Sequence, residues 1–397
     1  MFYRLFALFS LIFCSNLYGG DIWLTWQNDP TSTMVISWLS SKETKPAHLF
    51  VSYRKYGSED DSWSKFLSTI IPFPADEDKF ICYAELLGLE ADTEYEFRIK
   101  NNEEIYRFKT APNTIDKPIS FIVGGDTLED NTSLFKVTNK RAAKYEPLFV
   151  AIGGDIAYAV TNTKEDPRRW QKWLEIWFET MRIDSNRLIP IVAVPGNHDV
   201  RGGFDRAHKD AETFYALFRS PTRREYTVLR FGTYLSLYLL DSGHAIPVNG
   251  VQKVWLQEEL KKDALMLHRM AVYHVPAYPS VSTLDQKYCA RVRKHWPPIF
   301  DKYDLHFAFE NHDHAYKRTH PLRNNKVNSK GVVYIGDGSW GTNPRLPIQA
   351  PNAQYLAETR SEQQFCYVTI SKKKRSIEVV TPDGRVLDKY SQTIKKK

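Results

Sequence analysis

Residues 148–158 have the sequence LFVAIGGDIAY, an apolar run that ends abruptly in two glycines and an aspartate. The run from Leu148 to Ile152 is short, apolar and bounded by turn residues, so it predicts a buried β-strand. Gly154 and Asp155 then form a polar turn at the carboxyl end of that strand. Because ligands bind at the carboxyl ends of strands in open α/β sheets, this stretch predicts both the fold class and the place of the functional site.

The same pattern of an apolar run followed by polar residues recurs along the chain. The polar segments are Gly125-Asp126, Gly196-Asn197-His198-Asp199, His274 and Asn311-His312-Asp313-His314. Since the carboxyl ends of neighbouring strands meet at one edge of a sheet, we expect these segments to lie close together.

Together the segments offer seven side chains of the types that bind metals. They are the carboxylates Asp126 and Asp155, the oxygen donors Asn197 and Tyr158, and the imidazoles His274, His312 and His314. Two metal ions about 3.5–4 Å apart activate water and neutralise phosphoryl charge. Hard oxygen donors suit a trivalent ion and imidazoles suit a divalent one. The set therefore predicts a two-metal phosphoesterase, and the competing interpretation is polar loops with hydrogen-bonded core histidines.

The composition is that of an ordinary globular protein. The chain has 397 residues, is 42% hydrophobic and 14% aromatic, and carries a net charge of +7. This length favours two domains. Part of the basic excess lies in Lys372–Arg375 and Lys395–Lys397, which predicts solvated basic loops, and no nucleic-acid-binding motif is present in the sequence.

Residues 1–20 have the layout of a secretory signal peptide, with Arg4, an apolar stretch from Leu5 to Cys14 and then small and polar residues. Lipid attachment at Cys14 is the alternative, and the bulky Phe13 argues against it. No later segment has an apolar run long enough for a membrane span. The sequence thus predicts a secreted, periplasmic or otherwise extracytoplasmic protein.

Removal of the signal peptide leaves three cysteines, Cys82, Cys289 and Cys366. An odd number in a large chain is no disulfide framework. One disulfide among the three stays open, without an assignable pair.

The pattern along the chain predicts a domain boundary near residue 113. Residues 21–113 contain short strands punctuated by polar turns, as in a β-sandwich that resembles a fibronectin type III module. Residues 116–345 alternate strands with amphipathic helices, predicted at 168–181 and 251–265. The strands predicted in residues 346–397 would complete this catalytic domain.

These blocks resemble those of the calcineurin-like metallophosphoesterases, and specifically of the purple acid phosphatases. The specific marker is Tyr158, three residues after Asp155. The N-terminal module, Ala315–Arg318 and Gly336-Asp337-Gly338 extend the resemblance. It implies an α/β fold, a four-layer metallophosphoesterase β-sandwich flanked by helices, with an N-terminal all-β sandwich domain.

The resemblance also implies a ligand set. Fe(III) would be held by Asp126, Asp155, Tyr158 and His314. A divalent metal, Fe, Zn or Mn, would be held by Asp155, Asn197, His274 and His312. His198 would be the catalytic and substrate-binding residue, contacting the phosphate and helping to protonate the leaving group, while a metal-bound hydroxide attacks phosphorus.

Two departures from the family pattern affect this interpretation. Leu128 and Asn311 stand where the family has glycine; we expect Asn311 to be tolerated because asparagine adopts unusual dihedrals, and Leu128 to reshape the loop over the first metal. Residues 276–289 lack the histidines by which plant-type members bind substrate. Candidate replacements are His244, Tyr278 and Lys317.

The sequence therefore predicts a secreted, metal-dependent acid phosphatase acting on small phosphate monoesters. Two alternatives stay open: a phosphodiesterase or nucleotide pyrophosphatase on the same metals, and a non-catalytic binding or adhesion protein with an inert phosphatase fold. The sequence leaves the oligomeric state open.

Overall fold

The computed structural model describes residues 21–42, 49–59, 62–100, 104–184, 186–218, 225–336, 338–348 and 353–394. The predicted signal peptide, Asp337 and the terminal lysines lie outside the described residues.

The N-terminal region is a sandwich of two sheets. Its strands are β1 (Ile22–Thr25), β2 (Met34–Ser41), β3 (Phe50–Lys55), β4 (Ser64–Leu67), β5 (Thr69–Phe73), β6 (Asp76–Leu86), β7 (Glu94–Ile99) and β8 (Tyr106–Lys109). One sheet has the order β1-β2-β6-β5, and the other contains β8-β7-β3-β4. The inward-facing side chains, among them Met34, Trp38 and Phe97, are buried in one shared apolar cluster. The predicted N-terminal β domain is confirmed.

The remainder of the chain alternates strands and helices. The strands are β9 (Ile119–Gly124), β10 (Val150–Ile152), β11 (Val160–Thr161), β12 (Lys164–Glu165), β13 (Arg182–Ile183), β14 (Arg187–Leu188), β15 (Ile191–Ala193), β16 (Thr227–Phe231), β17 (Leu235–Leu239), β18 (His268–Val272), β19 (Phe307–Glu310), β20 (Tyr316–Thr319), β21 (Leu322–Arg323), β22 (Lys326–Val327), β23 (Val333–Gly336), β24 (Leu356–Arg360), β25 (Phe365–Ile370), β26 (Lys374–Val380) and β27 (Val386–Thr393). The helices are α1 (Thr132–Ala143), α2 (Pro167–Thr180), α3 (Glu212–Phe218), α4 (Val251–Lys262), α5 (Lys287–His295) and α6 (Pro297–Lys302), and a 3-10 turn spans His208–Ala211.

Two mixed sheets face each other at the centre of this region. The first has the order β15-β10-β9-β25-β26-β27 and the second β16-β17-β18-β19-β23-β20-β24. Alternate residues of each strand point to opposite faces. Phe121 and Met270 meet in the cluster between the sheets, Ile122 packs with residues of α1 and α2, and Ala271 packs with residues of α4 to α6. The result is the predicted four-layer α/β arrangement.

Helix α2 begins one residue before its predicted start. Asp166 caps it by accepting a hydrogen bond from the Arg168 amide at 3.0 Å, and Pro167 occupies the first turn. Trp170, Trp173 and Trp177 are all buried, so the aromatic stripe of this helix belongs to the core.

The chain after residue 346 supplies strands to both central sheets. β25, β26 and β27 extend the first sheet by antiparallel pairing, starting from β9, and β24 pairs with β20 in the second. The last strands are therefore part of the same hydrogen-bonded core as the strands that begin the catalytic region.

The N-terminal sandwich is hydrogen-bonded to the rest of the chain. After α2, the short strands β13 and β14 join the second N-terminal sheet, and Arg187 lies opposite Arg107 in parallel register. The Arg107 amide donates to the carbonyl of Asn186 at 2.8 Å. Trp26 and Phe149 also meet edge to face, with ring centroids 5.9 Å apart.

Cys82, Cys289 and Cys366 are buried and free, so these three residues form no disulfide with one another. Within the described residues, no helix combines the length and the apolar character that crossing a membrane requires.

His268, the first residue of β18, is buried next to Arg375. It lies at the opposite end of β18 from His274. His268 contacts the Ser371 carbonyl at 3.1 Å through Nε2, and Arg375 Nε lies 3.3 Å from its Nδ1. The ring thus fits as a neutral imidazole that donates from Nε2 and accepts at Nδ1. Burial, and then the charge of Arg375, lower the pKa of His268 from 6.5 to about 3.

We expect this histidine to make the fold acid-labile. Because its pKa is lower in the folded state, the unfolded chain binds the extra proton, and stability present above pH 6.5 is lost as the pH falls toward about 3. The slope from one group is at most about 1.4 kcal/mol per pH unit. Urea unfolding of His268→Gln across this range should show a shallower dependence of the unfolding free energy on pH; an unchanged slope contradicts the assignment.

Candidate metal centre

The loops that carry the seven predicted ligands follow five parallel strands. Asp126 follows β9, Asp155 and Tyr158 follow β10, and Asn197 follows β15, all in the first sheet. His274 follows β18, and His312 and His314 follow β19, both in the second sheet. The site is therefore assembled across the two sheets.

The loops after β9 and β10 stay paired beyond the ends of their strands. The amides of Asp126, Thr127 and Leu128 donate to the carbonyls of Gly154, Asp155 and Ile156 at 3.0, 3.0 and 3.1 Å. These bonds fix the spacing of the two carboxylates. The side chain of Leu128 is buried in the apolar cluster that includes Ile156.

Five of the seven residues have a left-handed backbone. The φ angles are 57° at Asp126, 49° at Asp155, 49° at Tyr158, 75° at His312 and 53° at His314. Such conformations cost about 1–3 kcal/mol each in non-glycine residues and concentrate at functional sites. The neighbouring hydrogen bonds hold these residues in place.

One set of donor atoms consists of the Tyr158 hydroxyl, Asp126 Oδ1 and His314 Nε2. The hydroxyl lies 3.1 Å from Asp126 Oδ1 and 2.9 Å from His314 Nε2, and the latter two atoms are 3.0 Å apart. All three residues are buried.

A second set surrounds His274 Nε2. That nitrogen lies 3.2 Å from Asp155 Oδ2, 3.2 Å from Asn197 Oδ1 and 3.1 Å from His312 Nδ1. The ligand atoms of Asp155, His274 and His312 all lie within 4.8 Å of one another. His274 Nδ1 contacts the Gly153 carbonyl at 2.9 Å, so Nε2 faces the set.

The second set fits a metal ion better than it fits hydrogen bonds alone. The Nε2 atom of His274 carries at most one hydrogen, yet three potential ligand atoms surround it. Ligands about 2.0–2.2 Å from a metal lie about 3 Å from one another, which is the spacing found here. The carbonyl contact to His274 Nδ1 is also the kind that orients metal-binding histidines.

The electrostatics of the site favour cations. Burial, the largest single effect, would raise the pKa of Asp155, but the charge and hydrogen bond of His274 together with the charges of His198 and His312 outweigh it and lower the pKa. Burial and then the Asp126 and Asp155 carboxylates hold the pKa of the Tyr158 hydroxyl well above 10.0. A strongly charged ion is therefore needed if Tyr158 is to act as a phenolate ligand.

Asp199 is part of the Gly-Asn-His-Asp motif, but it was assigned no role from the sequence. It supports two of the ligand-bearing loops. It is buried, and its two oxygens accept the amides of Ile156 at 3.0 Å and Gly196 at 2.9 Å. It thus joins the loops that carry Tyr158 and Asn197. Its place in Gly-Asn-His-Asp was the signal that could have identified it.

Asn311 is accommodated for a different reason from the one expected. Its own φ is not left-handed; the left-handed residue is His312. The side chain packs against two glycines, because a Cβ added at Gly153 would lie 1.7 Å from Asn311 Nδ2 and one at Gly125 2.6 Å from Oδ1. Nδ2 also donates to the Tyr273 carbonyl at 3.0 Å.

Two buried carboxylates, Glu310 and Asp313, support the loop that carries His312 and His314. Neither of them was assigned a role from the sequence. Glu310 accepts the Tyr273 hydroxyl and the Ala277 amide, both at 2.6 Å, and pairs with Lys317. Asp313 accepts the amides of Ser280 at 2.6 Å and Val281 at 2.8 Å.

Two of the candidate substrate-binding residues, Lys317 and Tyr278, are engaged in other contacts. Lys317 is buried in its ion pair with Glu310, and the Tyr278 hydroxyl donates to Asn325 at 2.6 Å.

The structure places His244 behind His274, with ring centroids 5.4 Å apart. It is fully buried, and its two nitrogens contact Gly203 O at 2.8 Å and Ser242 Oγ at 3.1 Å. Burial lowers its pKa to about 3. A neutral ring with both nitrogens engaged suits the positioning of neighbouring loops rather than contact with a substrate.

Comparison with known proteins agrees with this geometry. The family profile described as "Purple acid Phosphatase, N-terminal domain" matches residues 21–110, and that described as "Calcineurin-like phosphoesterase" matches residues 119–316. The structure of a purple acid phosphatase from yellow lupin (Lupinus luteus) seeds has a TM-score of 0.78 at 16% identity, over 93% of this chain and 73% of the lupin chain.

Two sequence relatives match most of this chain at low identity. Purple acid phosphatase 21 of Arabidopsis thaliana is 22% identical over 324 residues, 79% of this chain and 70% of the relative. An uncharacterized protein of Mycobacterium tuberculosis (strain H37Rv) is 26% identical over 317 residues, covering 70% of this chain and 55% of its own. The chain thus spans just over half the length of the mycobacterial relative.

The four-layer fold and the two donor sets at its strand ends define a calcineurin-like metallophosphoesterase. Within that class, the chain belongs to the purple acid phosphatase family.

Arg169 on α2 joins the two loops of the first donor set. Its Nε donates to the Ala157 carbonyl at 2.8 Å, next to Tyr158, and its Nη2 donates to the Leu128 carbonyl at 2.8 Å and to Glu129. One planar side chain thus fixes the loops that present Tyr158 and Asp126.

We expect Arg169→Ala to weaken metal binding at the first set by about 10- to 100-fold, the usual effect of removing an outer support of a metal ligand. Metal content after dialysis against a graded chelator measures this. Arg168→Ala is the matched control, since Arg168 is 86% exposed and bonds to Asp166 only among the contacts described. Equal retention by the two variants would rule out the role of Arg169.

Proposed function

We propose that the protein is a binuclear-metal acid phosphatase that hydrolyses small phosphate monoesters and acts after export. The observation that carries the proposal is the convergence of all seven predicted ligand side chains into two adjoining donor sets. Convergence of seven residues from five loops is hard to explain for an inert phosphatase fold, so it disfavours the non-catalytic alternative.

The proposed ligands divide between two ions. Asp126, Asp155, Tyr158 and His314 hold the first, proposed to be Fe(III) because phenolate and carboxylate oxygens suit a hard trivalent ion. Asp155, Asn197, His274 and His312 hold the second, proposed to be divalent Fe, Zn or Mn. Asp155 Oδ1 accepts the His198 amide at 2.7 Å, and the Asp155 carboxylate would contribute to holding both ions.

When bound, such a pair lowers the pKa of water and neutralises charge on the phosphoryl oxygens. The protein's own contribution is to fix the donors and to exclude water from behind them, since Asp126, Asp155 and His274 are fully or almost fully buried. Asn197, His198 and His312 are partly exposed, so the substrate approaches from their side.

His198 is the proposed catalytic residue. Its Nδ1 contacts the Val160 carbonyl at 3.1 Å, and its ring stacks on Tyr158 with centroids 4.5 Å apart. The ring is thereby held with Nε2 available to the substrate. Nε2 then donates a hydrogen bond to a phosphoryl oxygen and gives its proton to the departing oxygen.

The proposal of export depends on residues 1–20, whose layout is that of a signal peptide. β1 begins at Ile22, so cleavage after Gly20 removes no residue of the first strand.

The monoester preference is tested with 4-nitrophenyl phosphate and bis(4-nitrophenyl) phosphate at mildly acidic pH. We expect the metal-loaded protein to cleave the monoester faster than the diester. Asp155→Asn should lower monoester turnover by about 100-fold or more, because the bridging carboxylate is lost.

Asp78→Asn is the matched control, because Asp78 is a 91% exposed carboxylate of the N-terminal sandwich and its loss should leave both rates unchanged. Faster cleavage of the diester than of the monoester would show that the protein is a phosphodiesterase. Absence of turnover in a protein shown to hold two metals would favour the binding protein.

A further inference from the structure

We propose that Phe204 and Tyr288 form the leaving-group side of the active site and that they favour phosphate monoesters whose leaving group carries a planar aromatic ring. This aromatic rim, defined by these two residues, rests on the proposed phosphatase function and names its substrate class.

The rim lies beside the second donor set. The ring of Phe204 is 6.2 Å from that of His312 and nearly perpendicular to it, at 89°. Phe204 and Tyr288 stack on each other with centroids 3.8 Å apart and an interplanar angle of 10°. Both side chains are partly exposed, as is His312, so all three border the same open side.

The chain positions Phe204 by a turn that begins at the motif itself. Gly202 and Gly203, at φ 83° and 76°, follow the segment that carries Asn197 and His198. A Cβ on Gly203 would lie 3.5 Å from Asn197 Cβ, so the turn runs directly along the proposed ligand. His198 and Phe204 thus belong to the same loop, and Phe204 lies on the side of that loop that faces His312.

Tyr288 reaches the rim from α5, and charge pairs hold the two elements together. Arg291 of α5 pairs with Asp205 at 2.5 Å, and Lys287 lies 3.7 Å from the same carboxylate. On its inner side, Phe204 contacts the buried His244, with centroids 4.8 Å apart. The rings are thus preorganised, which lowers the entropic cost of using them for binding.

The chemistry of this rim fits an aromatic group. The metals and His198 are suited to the phosphoryl oxygens. The rim offers ring edges, because Phe204 and Tyr288 cover each other and Lys287 Nζ and Arg291 Cζ each lie 4.9 Å from the centroid of the Tyr288 ring. Residues 276–289 contain no histidine, and the side chain that α5 brings to the rim is a tyrosine. Aromatic rings pair in stacked or edge-to-face arrangements, and contact of this kind changes binding on the order of tenfold.

Two matched substrate pairs test the proposal with the metal-loaded protein. Adenosine 5′-monophosphate and ribose 5-phosphate release the same type of primary alcohol and differ in the base. 1-Naphthyl phosphate and phenyl phosphate release phenols of similar acidity and differ in ring area. The readout is the ratio of kcat/KM within each pair, which does not depend on the fraction of active enzyme.

We expect the wild-type protein to favour the larger ring on the order of tenfold in at least one pair. Phe204→Ala and Tyr288→Ala should bring that ratio toward one, and Tyr288→Phe should retain it. Tyr56→Ala, at a 53% exposed tyrosine of the N-terminal sandwich, is the control and should keep the wild-type ratio.

Loss of preference in the nucleotide pair alone identifies a nucleoside leaving group, and loss in the naphthyl pair alone identifies an aryl group. No preference in the wild type, or equal losses for both members of each pair, overturns the proposal while leaving the phosphatase intact. Absence of turnover with all four substrates in a protein that holds two metals overturns the phosphatase function and the rim together.

Discussion

The metal centre depends on the hydrogen bonds that continue the β9–β10 pairing past the ends of both strands. Three consecutive bonds between residues 126–128 and 154–156 fix the two carboxylates before any ion binds. Because Asp126 and Asp155 are both left-handed, neither loop would hold this shape as an isolated peptide. Arg169 and Asp199 add side-chain contacts to the same loops, so backbone bonds and these two side chains together set the ligand geometry.

The charges show why such rigidity is needed. Asp126, Asp155, His274 and His314 are buried, whereas His312 is partly exposed. His274 is the main group that offsets Asp155 in the protein alone. Burial lowers the pKa of His274, but Asp155 and Asp126 raise it to about 9. A metal ion at the same place takes over that role and competes with the proton. A loosely held site would relieve the repulsion by moving apart, whereas this backbone keeps the donors together.

Much of the site was predictable because its signals are local. Apolar runs such as 148–152 indicate strands, and the types and order of Asp126, Asp155, Tyr158 and the histidines indicate metals. The supporting residues were not predictable in the same way. Arg169 acts through carbonyls 12 to 41 residues away in the chain, and His244 gives no sequence sign of being buried. β4 gives no strand signal in the sequence, because its residues SKFL show no apolar alternation and all four are exposed.

The pairing of β14 with β8 has a practical consequence for anyone who shortens the chain. Residues from 116 onward look like a self-sufficient catalytic unit, but removal of the sandwich would leave β13 and β14 without the sheet that they complete. It would also uncover helix α2 where Trp23 and Ile81 now pack, and would remove Trp26, one of the rings in contact with Phe149. An unpaired strand edge next to newly exposed apolar surface promotes aggregation. Expression of the catalytic region alone is therefore predisposed to insolubility, even though every proposed ligand would still be present.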